Sequence, residues 1–205
     1  MGEFKMAVSV FTMLVAASTA ASFQHYEIGM PLEAARAVEI PNGNYGRIDF
    51  ACTGDVNAPR FLEITEAEKA VGITKCWPVQ NIGSSVTRAS LAVGGDVSAT
   101  VEFHFSGNRL YEIETFYDAA DRATLEQGLR AKFGPPSGKT DGSVQNLYGA
   151  KFEQSLLTWD LGDSQVTLLS PALNLERMLV SYRNKKTSVQ ISEKVKALET
   201  GRLAL

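Results

Sequence analysis

This chain is poor in the residues from which chemistry is usually read. Its 205 residues include two cysteines, two histidines and two tryptophans. His25 and His104 stand at no ligand spacing from a cysteine, which excludes zinc fingers and ribbons. No H-E-x-x-H helix and no G-x-S-x-G elbow occurs, so the common zinc-protease and serine-hydrolase signatures are missing. Positive charge is also scarce. The net charge is −3, and the densest basic stretch is Arg183-Asn184-Lys185-Lys186. Nucleic acid requires a basic footprint that this chain lacks, and a strongly anionic membrane surface is disfavoured for the same reason.

No organic cofactor is expected. Gly134-Pro135-Pro136-Ser137-Gly138-Lys139-Thr140 has three residues between its glycines where a phosphate-binding loop needs four. It also follows a helical pattern instead of a strand, so a helix stop and a loop account for it.

What is present begins at the N-terminus. Met6 to Ala21 (MAVSVFTMLVAASTAA) is a charge-free, largely apolar run of 16 residues preceded by Lys5. It is shorter than the roughly 20 apolar residues of a membrane span. A basic start, an apolar centre and small residues at the end form the layout of a secretory signal peptide. Small residues at the −3 and −1 positions allow cleavage after Ala20, Ala21 or Ser22. Residues 1–22 therefore read as a signal peptide and residues 23–205 as a single α+β domain. The expected location is periplasmic or secreted, with no stable membrane span after cleavage. No cysteine precedes Cys52, which closes the lipid-anchored route.

In an oxidising compartment, Cys52 and Cys76 most simply form one disulfide; two buried free thiols are the alternative. Hydrophobic content of 44% with 21% charged residues is that of a globular chain.

Periodicity predicts a first helix over Pro31 to Val38 and a strand over Arg47 to Cys52. Residues 53–85 are ambiguous, with short strands suggested at Arg60 to Thr65 and Val71 to Trp77. Strands follow at Ser85 to Val93, Val97 to Phe105 and Arg109 to Tyr117, the last two flanking Ser106-Gly107-Asn108. A three-residue loop there pairs Phe103 with Tyr111 and Val101 with Ile113, keeping the apolar residues on one face. A two-residue loop would pair Phe103 with Glu112 and mix the faces.

Asp118 to Phe133 predicts a helix with Leu125, Leu129 and Phe133 on one stripe, stopped by Gly134 and two prolines. Ser137 to Ala150 reads as a polar loop. Strands at Ser155 to Leu161, Gln165 to Leu169 and Met178 to Tyr182 lead to a helix over Ser188 to Glu199. The expected fold is α+β, an antiparallel sheet of hairpins and meander with helices packed on one face.

Arg109-Leu110-Tyr111-Glu112-Ile113, then Leu125, Leu129 and Lys132-Phe133-Gly134-Pro135, then Trp159 in a meander, resemble uncharacterised exported proteobacterial proteins. The same helix, Gly-Pro stop and meander are similar to beta-lactamase-inhibitor-like repeats and to small outer-membrane-assembly lipoproteins. The resemblance covers roughly Phe103 to Tyr182. Its motifs are structural and carry no catalytic residues, and it implies a binding or assembly role.

Two candidate sites remain. On the hairpin's outer face the expected register sets Glu102 opposite Glu112, with His104 and Glu114 beside them. Like charges directly opposite are unfavourable, and a divalent metal would relieve them with His and carboxylate ligands. A solvated sheet face explains the same four residues. Cleavage after Ser22 would leave Phe23-Gln24-His25 as a free terminus, a ligand set for Cu(II) or Ni(II); a solvated histidine is the alternative. The expected function is an exported, non-catalytic protein that binds a protein or small envelope ligand. The alternative is a small extracytoplasmic hydrolase using Asp/Glu residues or a Glu/His divalent-metal site.

Overall fold

The structure is a computed structural model, and it describes residues 21–43, 46–56, 58–59, 61–145 and 148–201. The apolar leader up to residue 20 lies outside them. Among the described residues no helix is long and apolar enough to cross a membrane.

Strands between residues 48 and 184 build one antiparallel sheet. Its strands are β3 (Ile48–Cys52), β4 (Ile73–Ile82), β7 (Val97–Ser106), β8 (Arg109–Asp118), β12 (Arg177–Asn184), β11 (Ser164–Ser170), β10 (Lys151–Leu161) and β9 (Gly138–Gln145), in that spatial order. Between β4 and β7 sit β5 (Ser85–Arg88), paired with β4, and β6 (Ser90–Gly94), paired with β7. A small separate hairpin, β1 (Ser22–Phe23) and β2 (Tyr26–Glu27), opens the described chain. The helices are α1 (Leu32–Arg36), α2 (Glu66–Ala70), α3 (Arg122–Phe133) and α4 (Lys185–Glu199).

Pro78 explains where β4 and β7 separate. The two strands pair from Ile73↔Ser106 to Cys76↔Phe103, and from Val79 onward β4 pairs with β5 instead. Proline has no N–H for a ladder and sits at the changeover. Its carbonyl accepts the Ala89 N–H at 2.9 Å. Ala89, 1% exposed, is the corner between β5 and β6, so the expected single strand over Ser85 to Val93 is two strands serving different partners.

Two other expectations change. The predicted strand over Arg60 to Thr65 is absent over the described Phe61 to Thr65. Thr65 instead caps α2, accepting the Glu68 N–H while Glu68 accepts the Thr65 N–H, a reciprocal capping box. The polar stretch Ser137 to Ala150, read as a loop, contains β9. This strand lies at the sheet edge with nearly every residue exposed, so backbone pairing with β10 holds it and no apolar alternation marks it.

The main core lies on one side of the sheet. Val101, Phe103, Ile113, Leu157, Trp159, Val166, Leu168, Met178 and Val180 pack there with Leu125 and Leu129 of α3 and Ala35 of α1. Gly134, at φ +80°, ends α3 as predicted, and its carbonyl accepts the Trp159 indole N–H at 2.9 Å. The N-terminal hairpin closes this core, with the Tyr26 ring tilted 45° at 4.3 Å from Phe103 and Phe23 at 6.0 Å from Tyr182. The helices do not share one cluster. Ile191 of α4 packs in a second cluster with Ile73 and Tyr111, and α2 contacts α4. The sheet dominates, and the expected arrangement of helices on one face gives way to two separate helix-bearing clusters.

Cys52 and Cys76 are directly opposed in the β3–β4 ladder and are bonded to each other. The loop they close spans 24 positions of sequence. In the loop-entropy account such a bridge is worth about 3.5 kcal/mol. A Cys52→Ser/Cys76→Ser double variant is expected to lose stability of that order in urea titration, and the wild type should take up no thiol label without reductant. An unchanged urea midpoint would mean that the bridge does not constrain the fold.

Candidate functional site: a buried histidine among glutamates

The geometry of this site follows from one extra residue in β8. The hairpin turn is the two-residue Gly107-Asn108, both at positive φ, with Ser106↔Arg109 and Phe105↔Leu110 beside it. The ladder then shifts, and the next pair is His104↔Glu112, leaving Tyr111 without an opposite. This bulge restores Phe103↔Ile113 to the core face. The three-residue loop and its register are thereby corrected. Glu102 stands opposite Glu114, and His104 opposite Glu112. The apolar pattern required the faces to be kept, and a bulge meets that requirement as well as a longer turn does.

The four residues named from the sequence do share the outer face, but that face is not solvated. The His104 side chain is only 7% exposed, Glu102 15%, Glu112 17% and Glu114 26%. Tyr111, swung outward by the bulge, lies edge-on to the imidazole at 6.1 Å. Its hydroxyl is held well above its ordinary value by burial and by the neighbouring carboxylates. Packing of Tyr111 with Ile73 and Ile191 brings α4 close to the site.

Three carboxylates ring the imidazole. Nε2 lies 3.6 Å from Glu102 and 3.9 Å from Glu114, and Nδ1 lies 3.8 Å from Glu112. These are ion-pair separations, longer than hydrogen bonds. Nε2 is buried with no hydrogen-bond partner. One ligand atom each from Glu102, His104 and Glu114 lies within 4.8 Å of the others. Glu112 differs from these three. It faces the opposite ring nitrogen and accepts a hydrogen bond from the Ser181 hydroxyl at 3.1 Å.

The surrounding cations came from residues the sequence did not single out. Arg88 of β5 reaches Glu102 at 3.1 Å and stacks over Trp77 at 5.2 Å. Lys75 of β4 binds Glu68 of α2 at 2.6 Å. Arg183 of β12 lies near Glu112 while donating to Gln165 at 3.1 Å. Each arrives from a different strand, so no local spacing announces it.

Burial and charge oppose each other at His104, Glu102 and Glu112. Burial alone would push His104 down, but Glu102, Glu112 and Glu114 outweigh it and raise it to about 9. Burial would raise Glu102, yet His104, the Trp77 indole and Arg88 bring it down to about 2. Glu112 is likewise lowered against burial by His104, Ser181 and Arg183. Glu114 goes the other way: burial raises it, His104 offsets that in part, and the charges of Glu112 and Glu102 add to the rise.

His25 is exposed, but Phe23 is 3% exposed and lies within β1. The N-terminal copper arrangement requires Phe23 to be a free, mobile terminus, and the fold places it in the core instead. The expected disulfide pair lies on the neighbouring strands, where Cys76 pairs with Phe103 beside the site.

No known protein family matches the chain, and neither the curated proteins nor the solved structures yield a match.

The charge balance sets a pH profile for the metal-free, chelator-treated protein. The stability contributed by His104 is complete below its ordinary value of 6.5 and is lost as pH rises through about 9. That of Glu102 is complete above 4.5 and lost as pH falls through about 2. Glu114, being raised, costs stability once pH exceeds 4.5. Thermal melts should therefore show greatest stability between 4.5 and 6.5. A decline on the order of 2 kcal/mol is expected on the alkaline side. His104→Gln should flatten that decline, and a flat wild-type profile would contradict the assignment.

Proposed function

We propose that this chain is an exported, non-catalytic binding protein whose ligand is a divalent cation of the zinc or manganese type, held by Glu102, His104 and Glu114. The observation that carries the proposal is the His104 Nε2. It is buried, lacks a hydrogen-bond partner and faces two carboxylates whose oxygens lie within 4.8 Å of one another and of it. An imidazole with two carboxylates suits borderline cations such as Zn²⁺ and Mn²⁺.

Glu112 supports this reading from the second ring nitrogen. Histidine ligands are ordinarily oriented by a carboxylate on the nitrogen away from the metal. Here Glu112 holds that position and is itself tied to Ser181. In the metal-free protein the imidazolium provides the positive charge at this place. A bound cation would replace that proton and be drawn by the same carboxylates.

Export is supported by the leader pattern and by the Cys52–Cys76 bridge, since disulfides persist in oxidising compartments. A binding role in the cell envelope agrees with what the hairpin, helix and meander resemblance implies.

The test is thermal stability of the chelated protein with and without added Zn²⁺ or Mn²⁺. At a free metal concentration about a hundred times Kd, a rise of roughly 5–10 °C in Tm is expected. Glu114→Gln and His104→Gln should each abolish it. Glu112→Gln should weaken metal affinity by about 10- to 100-fold without eliminating it. No metal-dependent rise in the wild type, or an equal rise in all three variants, would refute the site.

A further inference from the structure

We infer that the cation at Glu102, His104 and Glu114 holds the carboxylate head of a long-chain fatty acid, whose chain lies along an apolar row on the sheet face opposite the core; this rests on the cation reading given above. Strand register sets the row. Thr100 pairs with Phe116, Phe116 with Leu179, Leu179 with Leu169, and Leu169 with Leu156. The residues next to them along the strands, Thr115, Val180, Leu168 and Leu157, are buried on the core side. Strand alternation therefore points Phe116, Leu179, Leu169 and Leu156 the other way. All four are only partly buried, and among the described residues the apolar clusters of the core include none of them. α3 packs on the core side through Leu125 and Leu129, and α4 is held near the hairpin turn by Ile73 and Tyr111. An apolar row across four strands departs from the polar outer face that a one-sided sheet carries.

The two ends of the row differ, and together they name the occupant. At one end, Thr100 and Phe116 each stand two residues from Glu102 and Glu114 on the same strand face. At the other end, Leu156 and Leu169 stand two residues from Gln154 and Pro171. Those two line a cavity of about 580 Å³ together with Val144, Leu173 and Leu175. Leu173 is 83% exposed and Leu175 38%. From Phe116 to Leu156 the row crosses three strand spacings of about 4.8 Å, so roughly 14 Å of apolar surface joins a charged end to an apolar one. A single-chain amphiphile has that layout.

Charge selects the head. Glu102, Glu112 and Glu114 stand around His104 and repel an anion while the site holds no metal. Three protein ligands leave a tetrahedral cation one open position, and an incoming carboxylate oxygen fills it. A cationic head would be repelled by the bound metal. The fatty carboxylate therefore binds the loaded protein and not the chelated one, and each ligand raises the affinity of the other by the same factor.

The test is calorimetric titration with palmitate, below its micellar range, of the protein loaded with whichever of Zn²⁺ and Mn²⁺ raises its Tm. Palmitate should bind, and chelation should weaken it at least about tenfold. Octanoate should bind at least about a hundredfold more weakly, because each buried methylene is worth up to about fourfold. Leu169→Thr/Leu179→Thr should weaken palmitate at least about tenfold while keeping the metal-dependent Tm rise, which also reports that the variant is folded. No palmitate binding to a protein that still shows that rise would overturn this inference and leave the cation reading standing. Equal binding after chelation, equal affinity for octanoate, or unchanged affinity in the double variant would each overturn it too, as would a dimer in sedimentation that the double variant abolishes. No Tm rise with either metal would overturn both readings.

Discussion

Both faces of the central hairpin depend on the one unpaired residue, Tyr111. A two-residue turn at Gly107-Asn108 by itself would bring Phe103 opposite Glu112 and mix core with charge. The bulge absorbs the odd residue, so that Phe103 and Ile113 meet in the core while His104 and Glu112 meet on the other side. The same shift turns Tyr111 outward into the cluster with Ile73 and Ile191. Core packing, the seating of α4 and the composition of the charged site thus follow from a single ladder irregularity. Bulges of this kind re-aim side chains, and here the re-aimed side chain forms a wall of the site.

Placing four ionisable groups in a mostly buried position carries a desolvation cost that must be offset nearby. The sheet does this by convergence. Arg88, Lys75 and Arg183 come from three strands that flank the hairpin on both sides, and Lys75 is anchored in turn by Glu68 at the start of α2. The compensation is uneven. Glu102 and Glu112 are held as carboxylates, whereas Glu114 is left with raised basicity beside two like charges. That unevenness falls beside the imidazole Nε2, which is buried without a hydrogen-bond partner.

The first half of the fold is held by ties across long stretches of chain. The Cys52–Cys76 bond joins β3 to β4 where β4 is about to leave β7. Asp55, just past β3, accepts the Cys52 N–H at 2.8 Å and binds Arg36 of α1 at 2.6 Å. The N-terminal hairpin then closes the core with Phe23 and Tyr26.

Local chemistry was legible in the sequence wherever short-range forces decide. The stop of α3 at Gly134 follows from the glycine and two prolines, and the meander of β10, β11 and β12 from alternation and turn residues. The disulfide follows from there being only two cysteines. The members of the outer face were legible too, since strand period, with the apolar residues kept on one face, puts Glu102, His104, Glu112 and Glu114 on the other. Tertiary structure decided what local pattern cannot encode. A bulge and a longer loop satisfy the same alternation, so the register at Glu102 and Glu114 was settled by core packing. The edge strand β9 has no apolar signal because only its backbone is used. The burial of His104 and the arrival of Arg88, Lys75 and Arg183 depend on which strands neighbour β7 and β8. Sheet order is a long-range property, and no spacing along the chain records it.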